Sequence, residues 1–102
     1  MIDLKKLQKE IFENKKKKGF NITDVNFEFN LIHSEIAEAF QAYRKKLPDL
    51  GEELADVAIY LLGLSEMLDI DLEKEILKKV EKNKKRKYKK IKGVITRIKD
   101  NG

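Results

Sequence analysis

The chain has no cysteine and no tryptophan, and only one proline and one histidine in 102 residues. Without thiols, a disulfide framework and a thiolate zinc site are both excluded. A di-iron carboxylate bundle needs Glu-x-x-His on two helices. The lone His33 has Asn30 three residues before it, so that metal chemistry is excluded as well. No apolar run approaches the roughly 20 residues of a membrane span, so no membrane partner is expected. The start, Met1-Ile2-Asp3-Leu4-Lys5-Lys6, lacks the apolar stretch of a secretory signal. A soluble, cytoplasmic protein is the expectation.

What the chain does have is charge. Charged residues make up 40% of it and apolar residues 41%, a balance that suits amphipathic helices and leaves little for a thick core. One domain is expected, completed by self-association into a homodimer or homotetramer. The net charge of +5 is unevenly spread: residues 78–102 carry +10, whereas residues 53–77 carry −6. An acidic middle is a poor nucleic-acid surface and a natural cation site, which makes nucleic acid an unlikely partner. The basic end either steers a polyanion or is a solvated lysine-rich tail.

Hydrophobic periodicity predicts four helices. The first opens at Asp3 as N-cap, with Ile2 and Leu7 as a staple, a stripe of Leu4, Leu7 and Ile11, and Gly19 at C′. Thr23 or Asp24 caps the second, which should run to about Leu47 before Pro48, burying Phe29, Ile32, Ile36, Ala39, Tyr43 and Leu47. Asp49 and Glu52 have the spacing of a capping box for the third. Its Leu50, Leu54, Val57, Leu61, Leu64 and Leu68 read as the buried face of a bundle helix. Asp71 caps the fourth, whose face of Leu72, Ile76, Leu77 and Val80 fades into the lysine-rich stretch 82–92. The helical domain is therefore set at residues 1–92 and a tail at 93–102, where Val94 to Ile98 reads equally as a helical turn or a short strand.

Two carboxylate pairs stand out. Glu35 and Glu38, then Glu53 and Asp56, are each spaced i, i+3, which places a pair on one helix face about 5–6 Å apart. Pro48 makes the two helices antiparallel neighbours. Glu53 and Asp56 border the leucine stripe, and Glu35 and Glu38 lie beside the second helix's apolar face. Four carboxylates converging at a bundle edge require a cation. Oxygen-only ligation selects Mg²⁺, with Mn²⁺ as a substitute. The same spacing also arises on solvated helix faces in an acidic chain.

The surrounding residues are more specific. Leu31-Ile32-His33-Ser34-Glu35-Ile36-Ala37-Glu38-Ala39, followed across a gap of fourteen residues between Glu38 and Glu53 by Glu53-Leu54-Ala55-Asp56-Val57, resembles the E-x-x-E…E-x-x-D hallmark of the MazG-like all-alpha nucleoside triphosphate pyrophosphohydrolases. Lys79-x-x-x-Asn83-x-x-Arg86-x-Tyr88 is similar to that family's K-x-x-x-N-x-x-R-P-Y segment, and Lys18-Gly19-Phe20 to its Lys-Gly-aromatic turn. The likeness covers roughly residues 5–90. It implies an all-α, four-helix bundle and Mg²⁺-dependent cleavage between the α- and β-phosphates of a nucleoside triphosphate. Glu35, Glu38, Glu53 and Asp56 would hold the metal, with Glu38 or Glu35 taking the proton of the attacking water. Lys79, Asn83 and Arg86 would contact phosphates, and Phe20, His33 and Tyr88 would border the substrate pocket. The chain departs from the family around Lys87 to Ile91, at Tyr60 (often arginine in close relatives) and at Gly63 (often aspartate). Those positions bear on substrate choice. Two other readings remain: a phosphoribosyl-ATP pyrophosphohydrolase with the same acidic motif, and a non-catalytic helical module that binds nucleic acid or a partner through its basic ends.

Overall fold

The computed structural model describes residues 1–98; the last four residues of the expected tail lie outside the described set. Four helices are followed by a two-stranded antiparallel hairpin: α1 (Leu4–Lys17), α2 (Val25–Arg44), α3 (Leu50–Met67), α4 (Leu72–Lys85), β1 (Lys87–Ile91) and β2 (Val94–Ile98). The chain divides into two compact units, Met1–Leu72 and a second from Glu73 onward.

Local chemistry accounts for most helix ends. Asp3 accepts from the Lys6 N–H at 3.0 Å and Asp24 from the Phe27 N–H at 3.0 Å, each satisfying an otherwise orphaned donor of the first turn. α1 stops at Gly19, whose φ of +74° permits the reverse bonds Phe20 N–H to Lys15 C=O and Gly19 N–H to Lys16 C=O. α2 ends the same way but three residues earlier than expected. Lys46 takes the left-handed conformation, φ +54°, and Leu47 N–H returns to Ala42 C=O at 2.9 Å. The expected capping box at α3 does not form: Asp49 makes no side-chain cap bond, and its Oδ1 is buried without a partner.

In the first unit α3 packs against both α1 and α2. The faces that turn inward match those expected only in part: Ile32 and Ala39 of α2 and Leu50, Val57 and Leu64 of α3 turn inward as expected, and the rest of the two stripes does not. On α2 the buried positions are Glu28, Ile32, Ala39 and Ala42, and half-buried Glu35 falls on the same i, i+4, i+7 stripe, which so includes two carboxylates. Phe29, Ile36, Tyr43 and Leu47, expected in the core, are 44–66% exposed. On α3 the inner line is Leu50, Glu53, Val57, Tyr60 and Leu64. Leu54, Leu61 and Leu68 of the expected buried stripe are 56%, 42% and 41% exposed. Both helices thus carry a second apolar face that this chain leaves uncovered.

The buried centre is correspondingly small: Ile32, Ala39, Ala42, Leu62 and Leu64. A polar clasp supplements it. Gln8, 3% exposed, donates to Ile70 C=O at 2.7 Å and to Glu66 Oε2 at 3.3 Å, and accepts from Leu72 N–H at 3.4 Å. It ties α1 to the turn after α3. Gln8→Ala removes the buried amide, leaves the part-buried Ile70 C=O and Leu72 N–H without this partner and opens a cavity, so urea denaturation is expected to show a loss of about 2–4 kcal/mol.

The second unit holds α4 and the hairpin. Lys92 and Gly93, at φ +50° and +80°, form the two-residue turn, which aligns Ile91 with Val94 and Tyr88 with Arg97. The expected helix over the lysine-rich stretch therefore stops at Lys85, and Val94–Ile98 is a strand. The architecture is mostly helical and not purely so.

Candidate metal centre

Glu35 and Glu38 project from one turn of α2 and Glu53 from the first turn of α3. One carboxylate oxygen from each lies within 4.8 Å of the other two. Glu35 and Glu53 reach this point because they belong to the inward stripes of their helices, while Glu38 stands at the exposed rim. The three are held together by packing around them, since like charges at this range repel. Glu35 Oε2 is buried with no hydrogen-bond partner.

The electrostatics record the crowding. The Glu35 carboxyl is pushed above its ordinary value, first by burial, then by the charges of Glu38, Asp56 and Glu53, and by a hydrogen bond with Glu38. Glu53 is raised by burial and then by Glu38, Asp49, Asp56 and Glu52. Asp56 is close enough to act on both, but its oxygens are not among the set within 4.8 Å. The structure thus brings three of the four expected carboxylates together and sets Asp56 beside them.

A depression of about 270 Å³ adjoins the cluster, and its lining includes Glu38, Glu53, Asp49 and Lys45. Lys45 was not singled out by sequence reasoning. Its signal was its place in the connection that sets Glu53 against Glu38.

The other expected residues are dispersed. Phe20 lines a separate, larger cavity of the first unit; His33 is exposed on α2 and lines neither cavity. Lys79, Asn83, Arg86 and Tyr88 belong to the second unit. There Arg86 follows the end of α4, donating its backbone N–H to Asn83 C=O at 3.2 Å, and its buried Nε has no hydrogen-bond partner. The Lys79 ammonium is pulled below its ordinary value by Arg86 first, then burial, Lys82 and Arg97. Arg97 joins this cationic group from β2, a contribution invisible without the hairpin. Tyr88 is half-exposed on β1.

Glu35, Glu38 and Glu53, with one buried oxygen lacking a partner, form an acidic triad that could hold a metal ion. None of the described helices is long and apolar enough to cross a membrane. Compared with known proteins, the chain matches no family model, no curated protein and no solved structure.

Proposed function

We propose that this chain is a Mg²⁺-dependent nucleoside triphosphate pyrophosphohydrolase that cleaves the α–β phosphoanhydride to give a nucleoside monophosphate and pyrophosphate. The observation that carries the reading is the convergence of Glu35, Glu38 and Glu53, from two motifs fourteen residues apart, on one point at the α2–α3 edge. The resemblance of those motifs to the MazG-like family supplies the reaction.

Glu35, Glu38 and Glu53 would hold Mg²⁺, with Asp56 adding negative charge beside them. Mg²⁺ held there would supply positive charge to the polyphosphate and would lower the pKa of an attacking water. Glu38, at the solvent rim, would take that water's proton, with Glu35 one turn earlier on the same helix. Lys45 offers a cation to the phosphates at the adjoining depression. Mn²⁺ would substitute for Mg²⁺ in this reading. Self-association into a homodimer or homotetramer covers the second apolar faces of α2 and α3.

A panel of standard and modified nucleoside triphosphates plus phosphoribosyl-ATP, assayed with and without Mg²⁺, tests the reading. Pyrophosphate is the expected product. Orthophosphate release would overturn the assigned bond, and turnover of phosphoribosyl-ATP alone would move the chain to that substrate.

One observation favours a second reading. Residues 82–98 carry nine cations and no carboxylate, and the hairpin puts several on a ribbon with Tyr88, a surface suited to nucleic acid. That reading expects salt-dependent binding that survives loss of all four carboxylates, with no metal-dependent turnover.

A further inference from the structure

The hairpin of the second unit has no core of its own. Every residue of β1 and β2 is exposed, and an isolated two-stranded ribbon is marginally stable in water. Side chains alternate between its faces. The register sets Tyr88 opposite Arg97 and Lys90 opposite Ile95 on one face, and Lys87 and Lys89 opposite Ile98 and Thr96 on the other. Lys92 occupies the turn. Of the nine cations in residues 82–98, only Lys84 has an ion-pair partner, Glu81, among the described residues. The Lys79 ammonium is held below its ordinary value first by Arg86, and Arg97 adds to the effect from β2. Like charges therefore crowd together from α4 to the hairpin. Lysines on exposed strands also guard sheet edges against pairing. That role needs charge alone, and it gives no place to a half-exposed ring set directly against a guanidinium.

We propose that this ribbon binds single-stranded nucleic acid, with Tyr88 stacking on a base and Lys87, Lys89, Lys90, Lys92 and Arg97 following the phosphates. Strands of five residues, at about 3.4 Å per residue, make a ribbon about 17 Å long, enough for a few nucleotides. An unpaired base offers its face to the Tyr88 ring, and the Arg97 guanidinium covers the same base or its neighbour. In a duplex the bases are already stacked on one another, which leaves Tyr88 without a role. β1 and β2 contain no Asn, Gln, Asp or Glu to read base edges, so little sequence preference is expected. DNA and RNA share this chemistry. The ligand rests on the nucleic-acid reading given above, and the surface uses none of Glu35, Glu38, Glu53 or Asp56. Binding here is therefore compatible with hydrolysis by the same chain.

The test is fluorescence anisotropy of the full chain with labelled oligo(dT) and oligo(U) of about twelve nucleotides, without added metal. Saturable binding of at least one is expected. Between about 50 and 200 mM salt its affinity should fall with a log–log slope of about −3, as for roughly four phosphates. Tyr88→Ala should bind about tenfold more weakly with that slope unchanged, because stacking carries no charge, and Tyr88→Phe should bind like wild type. The double variant K89Q/K90Q should instead flatten the slope by about 1.4, with its melt and any triphosphate hydrolysis unchanged. Independently of any variant, oligonucleotide should move the Tyr88 ring resonances upfield, as a base stacked over the ring requires. A purely ionic contact would leave them in place.

A duplex or heparin bound as tightly as the single strand would show that the ribbon reads charge alone. Tighter binding to phosphatidylserine vesicles would make it a membrane contact. Either result overturns the proposal, as does the absence of saturable oligonucleotide binding or a Tyr88→Ala variant that folds and binds like wild type. Triphosphate hydrolysis that persists without oligonucleotide binding leaves the pyrophosphohydrolase reading intact. Binding without hydrolysis has the reverse meaning.

Discussion

Glu53→Gln is expected to lower Mg²⁺-dependent pyrophosphate release by about 10²–10³-fold, the scale on which loss of one electrostatic contact to a reacting centre is felt. Glu53 is the one member of the converging triad supplied by α3. Without its charge the site reduces to two carboxylates on a single helical turn, which cannot close around a cation from two sides. Glutamine keeps the size and the inward position, so the effect reads charge and not packing. Glu52→Gln is the control, because Glu52 is exposed and outside the triad; its activity should match wild type. Thermal melts give an independent readout with a reversal of sign. Glu35 and Glu53 are raised above their ordinary values. Their contribution to stability is therefore complete below the unfolded carboxylate range and is lost as pH rises through the folded values. Without metal at neutral pH, Glu53→Gln relieves this repulsion and should melt higher than wild type, a difference that vanishes as the pH drops below the carboxylate range. With millimolar Mg²⁺ the wild type should gain stability and the variant should not. Protons compete with the metal, so Mg²⁺ affinity should increase with pH above the carboxylate range. A variant that keeps full activity and a Mg²⁺-dependent melt would remove Glu53 from the site.

What the sequence made legible was local. Asp3, Asp24 and Gly19 were readable because a cap depends on a few neighbouring backbone groups. The carboxylate spacing was readable for the same reason, since i, i+3 fixes a face without knowing what that face meets. Which face turns inward was legible only in part. α2 carries apolar residues on two sides, and periodicity groups Phe29, Ile36, Tyr43 and Leu47 with the buried Ile32 and Ala39. The chain instead turns in the stripe through Glu28 and Glu35, where small Ala39 and Ala42 permit close approach of α3. A lone glutamate such as Glu28 reads as solvent-facing unless its partner is known, and Lys15 lies thirteen residues away on another helix. The clue was the seven-residue step from Glu28 to Glu35. The hairpin was masked by lysines: in Tyr88-Lys89-Lys90-Ile91 the alternation needed for a strand is diluted, and Lys92-Gly93 was the turn signal. Asp49 shows the converse, a capping sequence whose geometry the connection does not supply.

The second large effect is expected at the uncovered face of α3. Leu54, Leu61 and Leu68 follow one another at seven-residue steps, and each is 41–56% exposed, so they line one side of the helix. Full burial of a leucine stabilises by about 1.5–3 kcal/mol relative to exposure, and these three are half-buried at best in a single copy. α2 adds Ile36, Phe40 and Tyr43, at 52–66%. A chain whose buried centre is five small or medium apolar residues gains most of its remaining hydrophobic stabilisation by covering these faces. Sedimentation velocity on the wild type is therefore expected to show a dimer or tetramer at micromolar concentration, with a melting temperature that increases with protein concentration. Leu61→Glu places a carboxylate in the middle of the stripe, where burial against a second copy would strand an unpaired charge. Its dimer constant should weaken at least about a hundredfold, the equivalent of roughly 2.7 kcal/mol, and its melt should become independent of concentration. Glu52→Gln again serves as the control, since it changes charge away from the leucine line. A wild type that stays monomeric over a hundredfold concentration range, or a Leu61→Glu variant that assembles as well as wild type, would show that this face is not where copies meet.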